Sequence, residues 1–106
     1  MKFVNLTPHE IKIFSDEQKA IVILPSGHEA RVSVTSTLEK EIDDIKVYKT
    51  TYGNIEGLPE PRLKTIYIVS SIVASRVKDR SDVMVPFGFV RNDKGVIVGC
   101  RGLQKI

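Results

Sequence analysis

Residues 65–86 constrain the fold more than any other stretch of this chain, because the hydrophobic pattern changes period there twice. Thr-Ile-Tyr-Ile-Val at 65–69 is apolar on both faces, as a strand covered on both sides must be. Ser70 then stands where a helix N-cap belongs. Val69, Val73 and Val77, joined by Ile72, form one helical stripe, while Arg76 and Lys78 point elsewhere. Asp79-Arg80-Ser81-Asp82 ends the helix, Val83-Met84-Val85 resumes an extended run, and Pro86 closes it. A strand running straight into a helix leaves backbone N–H groups free at the junction, where an anion can be held.

The remaining segments read as strands and turns. Residues 2–5 make a first strand, broken by Pro8, which has no N–H and pushes its predecessor out of the helical region. Residues 10–14 alternate, with Ile11 and Ile13 on one face, and residues 20–24 are a β-branched run, so the two predict a hairpin across the polar turn 15–19. After the turn at Gly27, residues 29–34 alternate again, with Ala30, Val32 and Val34 expected inward as the third strand of a meander. Residues 35–44 are polar and read as a loop or a single helical turn. Residues 45–49 read as a strand, and Gly53, Gly57, Pro59 and Pro61 mark a surface loop. Residues 89–91 and 96–98 flank Asn92-Asp93-Lys94-Gly95, a strong hairpin signal. The fold expected is α+β, a single β-rich domain over residues 1–106, with a mostly antiparallel, curled or barrel-like sheet and one short helix near residues 70–79.

A chain of 106 residues can bury a core without staples. No run approaches the ~18 apolar residues of a membrane span, and polar residues follow Met1-Lys2-Phe3-Val4, which predicts no signal peptide. A lone cysteine, Cys100, excludes an intrachain disulfide and predicts a cytoplasmic protein. The net charge of +3 is spread among residues of both signs, and the densest basic cluster (Arg76, Lys78, Arg80) is interrupted by Asp79 and Asp82. That pattern argues against a nucleic-acid footprint. Residues 20–24 and 96–98 carry few of the charges that protect sheet edges, which predicts pairing across a subunit boundary and hence a homo-oligomer.

Complete catalytic constellations are missing from the sequence. Ser70 and Ser71 follow a strand as a nucleophile elbow does, yet Val69 and Ile72 replace the glycines that the strained elbow needs. Cys100 beside Arg101 reads better as a small sheet residue than as a reactive thiol. His9 and His28 have no second ligand at metal spacing, with His9 a hydrogen-bonding candidate placed by its turn, and no glycine-rich phosphate loop occurs. No cofactor is expected. What remains is the junction: Ser70, Ser71, Arg80 and Asp82, with His9 nearby, as an anion site in which the arginine fork grips phosphate or carboxylate. The bland alternative is an internal ion pair of Arg80 with Asp82 or Asp79 that fixes the helix exit.

Several short motifs occur together: Asn5-Leu6-Thr7-Pro8-His9, Pro25-Ser26-Gly27 with Arg31, and Gly57-Leu58-Pro59-x-Pro61. Further along come Tyr67-Ile68-Val69-Ser70, Arg80-x-Asp82-Val83 with Pro86, and Arg91-x-x-x-Gly95-x-Ile97. In this order they resemble a family of small uncharacterised proteins of bacteriophage and bacterial genomes. The resemblance implies a phage or prophage setting and supplies no catalytic residues. The function expected is therefore an accessory binding protein acting on a small phosphorylated ligand or a host protein. The alternatives are a small enzyme using Ser70, Arg80, Asp82 and His9, or a nucleic-acid binder.

Overall fold

A computed structural model describes residues 1–16 and 19–106. Six strands form one sheet: β1 (Lys2–Asn5), β2 (Ile11–Phe14), β3 (Ala20–Ile23), β6 (Thr65–Ile68), β7 (Val83–Arg91) and β8 (Ile97–Gln104). Their order is β1-β6-β7-β8-β2-β3. A parallel bridge between Asn5 and Pro25 brings the two ends of that order together, so the sheet curls into a nearly closed barrel. The remaining strands, β4 (Arg31–Ile42) and β5 (Ile45–Glu56), form a separate two-stranded hairpin, and the one short helix among the described residues, α1 (Ser71–Ser75), follows β6.

Strand β6 is the axis of the core. Tyr67 and Val69 face one side, packed with Leu6, Val73, Ala74, Val83 and Val85 and with Ala30 and Val32 from the root of β4. Ile68 faces the other side, against Ile11 and Cys100. A strand covered on both faces must be apolar on both, which is why residues 65–69 show no alternation. Cys100 is a buried sheet residue, as its hairpin context suggested.

Several expectations from the sequence are corrected. The sheet is mixed rather than mostly antiparallel: β1 with β6, β6 with β7 and β2 with β8 are all parallel. The helix that follows β6 makes the return crossover that parallel β6 and β7 require. The hairpin of β2 and β3 forms as expected, but the meander stops there. β4 pairs with β5, and Val34, expected inward, is 54% exposed. Residues 35–42, read as loop or helical turn, continue β4 and turn into β5 through Asp43 and Asp44, both at positive φ. Aspartate tolerates that region, so the two residues serve as a two-residue hairpin loop without glycine.

Pro86 does not end its strand. β7 meets β6 only near Tyr67 and Ile68, so beyond them its β6 side is an edge where the missing N–H of proline costs no ladder bond. The helix spans only Ser71–Ser75 and residues 77–82 leave it as turns, against an expected extent near 70–79. Of the strands expected to offer free edges, β8 lies between β7 and β2 and meets β2 at Ile13–Cys100, while β3 ends the strand order.

Candidate functional site

Asn5 organises the ground on which the site stands. It is 1% exposed, and its amide nitrogen donates to the carbonyls of His9 (2.7 Å) and Ile23 (3.2 Å). Its Oδ1 accepts from the Thr7 backbone N–H (2.9 Å) and hydroxyl (2.7 Å), while its carbonyl accepts from the Ser26 N–H at 3.0 Å. One side chain thus ties the end of β1 to the turn before β2 and to the end of β3. Pro8 shapes that turn, and His9 is carried on it with an exposed imidazole.

Beyond that turn lies a cleft of about 690 Å³ bounded by the β1–β2 turn, the β6–α1 junction and strands β2, β7 and β8. Its walls are largely apolar, with Val69, Val85, Phe89 and Ile97 among them, and Thr7, His9, Glu10, Lys12, Ser70, Ser71 and Gln104 supply polar groups. Its size is that of a small-molecule site. Ser70 has extended backbone (φ −70°, ψ 158°) and its carbonyl accepts the first helical bond, from Ala74 at 3.0 Å. Its hydroxyl makes no capping bond, and it stands at the cleft wall beside Ser71. Among the described residues no hydrogen bond links the His9 ring to either serine, and no group of His, Cys, Asp and Glu has metal-holding geometry.

Arg80 and Asp82 stand elsewhere. Arg80 Nε and Nη2 donate to the two carboxylate oxygens of Asp82 at 3.0 and 2.7 Å, a bidentate pair. The guanidinium also lies over the Tyr67 ring, 5.9 Å from its centroid. The hydrogen bond to Arg80 holds the Asp82 carboxyl below the usual aspartate range, and the same bond raises the already high Arg80 value. Neither residue lines the cleft. The reason is topological. Because β6 and β7 run parallel, the crossover carries the chain back to the end of the sheet where β6 begins, and Asp82 accepts the Tyr67 N–H there at 2.8 Å. Ser70, just past the end of β6, is three residues beyond Tyr67, roughly 10 Å along an extended chain. The candidates from the sequence therefore divide: His9, Ser70 and Ser71 share the cleft, while Arg80 and Asp82 form an internal pair.

A second cleft of about 580 Å³ opens near Tyr67, with Lys2, His28 and Arg62 around Leu58 and Pro59. Sequence reading missed Lys12 and Gln104 in the first cleft and Lys2 and Arg62 in the second. Each is an ordinary surface residue locally, and only the parallel pairings bring them into the clefts. No protein-family model, no curated protein and no solved structure matches this chain.

Proposed function

We propose that this chain is an accessory binding protein of phage type, acting in the cytoplasm on a small phosphorylated ligand. The observation that carries this reading is the composition of the first cleft, where the Ser70 and Ser71 hydroxyls, Lys12, His9 and Gln104, with one carboxylate at Glu10, rim walls formed by Val69, Val85, Phe89 and Ile97. The apolar walls suit a ring or acyl body, and the hydroxyls and ammonium suit an anionic group. Binding is favoured over turnover because no general base is hydrogen-bonded to a nucleophile among the described residues. A host protein is the alternative occupant. An enzyme using Ser70 and His9 requires those side chains to meet, and an enzyme using Arg80 requires it to leave Asp82.

A second reading of the ligand site has its own support. Lys2, His28 and Arg62 line the other cleft with no carboxylate among its lining residues, so an anion is better matched in charge there. Thermal-shift measurements with nucleotides and sugar phosphates separate the two. A ligand at 100 times its Kd stabilises by about 2.7 kcal/mol, on the order of 10 °C in Tm for a chain of this size. In the first reading Ser71→Trp, which fills the cleft, abolishes the shift and Arg62→Ala keeps it. The reverse result moves the site to the second cleft. Arg80→Ala is expected to lower Tm while keeping the shift, and no shift with any phosphorylated compound removes the small-ligand reading.

A further inference from the structure

The hairpin β4–β5 is not explained by the core of its own chain. Only its root is anchored, through Val32 and Ile55, and residues 33–52 include none that is buried. By strand alternation Val34, Ser36 and Leu38 share one face with Tyr48, Thr50 and Tyr52, and the pairs Val34–Tyr52, Ser36–Thr50 and Leu38–Tyr48 lie directly opposite. The apolar members of this stripe are half exposed: Val34 54%, Leu38 53%, Tyr48 56% and Tyr52 48%. Ile42 and Ile45 flank the tip at 51% and 67%. The arm stretches the molecule to a radius of gyration of 16.8 Å, against roughly 13 Å for a compact chain of this length. A two-stranded ribbon is marginal alone in water, and a mostly apolar stripe, interrupted only by the hydroxyl-paired Ser36 and Thr50, marks a surface made to be covered.

We propose that the arm is a dimerisation element, packing stripe to stripe against the arm of a second copy of this chain, the two arms running antiparallel about a two-fold axis. Charge favours a second copy, and area sets the dimer at the weak, reversible end of the range. The tip segment, residues 39–46, carries Glu39, Glu41, Asp43 and Asp44 against Lys40 and Lys46, so it keeps a net negative charge. At the root, on the stripe face, Arg76 lies 5.9 Å from the Tyr52 ring centroid and donates to the Tyr52 and Gly53 carbonyls at 3.3 and 3.0 Å. Antiparallel arms set each acidic tip beside the partner's Arg76, so the pattern is complementary to itself, as a two-fold interface requires. The free part of the arm, from Val34 and Tyr52 to Ile42 and Ile45, is ~30 Å long and ~10 Å wide. Two such faces remove on the order of 600 Å² from water, with the tips on the opposite roots adding to it, which is the size of a weak, reversible interface. This inference is independent of the ligand reading.

Sedimentation velocity of the full chain at 1–100 μM, roughly the range in which modest interfaces form, tests it. Wild type is expected at the mass of two 11.9 kDa chains. The double variant Leu38→Asp with Tyr48→Asp is expected at the mass of one, with an unchanged far-ultraviolet spectrum and cooperative melting. Two charge variants supply a second arm to the experiment, Arg76→Glu and the double change Asp43→Arg with Asp44→Arg. Each alone sets like charges together at both contacts and raises the dissociation constant at least tenfold. Mixed in equal amounts they set opposite charges together at both contacts and restore the dimer as a heterodimer. A monomeric wild type overturns the proposal and leaves the stripe to a different protein. Dimerisation of the Leu38, Tyr48 double variant at wild-type strength, or failure of the mixture to recover, overturns it as well.

Discussion

Asn5 shows how much a single buried amide can carry. Its side chain donates to one carbonyl in the β1–β2 turn and one at the end of β3, and accepts the Thr7 N–H of that same turn. Asn5→Ala would leave the His9 and Ile23 carbonyls without that donor at a side chain only 1% exposed, at a cost of about 1–3 kcal/mol. The expected result is a fall in Tm with a weakened closure between β1 and β3, read as faster amide exchange at Ser26. A variant with wild-type Tm and exchange would show the closure to be held by backbone alone. Arg80 and Asp82 make the second case. The folded-state pKa of Asp82 lies below its unfolded value, so the pair's contribution is present above about pH 4 and is lost as pH falls through the folded value. Asp82→Asn should therefore cost about 1 kcal/mol at pH 7, since one edge of the pair meets solvent, and should flatten the acid limb of the stability profile. An unchanged acid limb in urea titrations from pH 6 to pH 2 would assign the acid sensitivity to other carboxylates.

Among the elements, β6 was the most legible in sequence, because only a strand covered on both faces is apolar on both. Ile68 is 0% exposed, between Ile11 and Cys100. Ile68→Asp is expected to leave no cooperative unfolding transition, since it buries an unpaired charge, and a soluble variant that melts cooperatively would refute this placement. The hairpins of β2 with β3 and β7 with β8, and the helix starting after Ser70, could also be read from local pattern, because adjacent segments and their turns settle them. What local pattern does not carry is which distant strands pair. A meander and a curled sheet with parallel neighbours have the same alternation, and Thr-rich residues 35–42 look like loop until β5 is set beside them. The site failed for the same reason. Ser70 and Arg80 are close in sequence across a short helix, but the parallel crossover returns the chain to the level of Tyr67, three residues before Ser70, and Arg80 pairs with Asp82 there. His9 could be placed only once Asn5 was seen to bind its carbonyl.

The whole molecule has two parts with different dependence on the rest of the chain. The barrel closes on itself through Asn5 and Pro25 and holds both buried clusters, so its stability comes from contacts that are all within reach of one chain. The arm beyond Val34 and Tyr52 adds backbone pairing and half-exposed side chains, whose burial within a single chain offsets little of the entropy of ordering them. The arm should then be removable. Replacing residues 35–51 by Asn-Gly joins Val34 to Tyr52, which already face each other, through a two-residue loop that fits antiparallel strands. At a protein concentration low enough to keep wild type monomeric, the shortened chain is expected to melt cooperatively within a few degrees of wild type. The denaturant slope should be smaller, because less surface is exposed on unfolding. Loss of cooperative melting would mean that the pairing of β4 with β5 beyond Val34 and Tyr52 is needed to hold the root on which Arg76 docks α1. Retention would establish the barrel as the folding unit and the arm as an appendage to it.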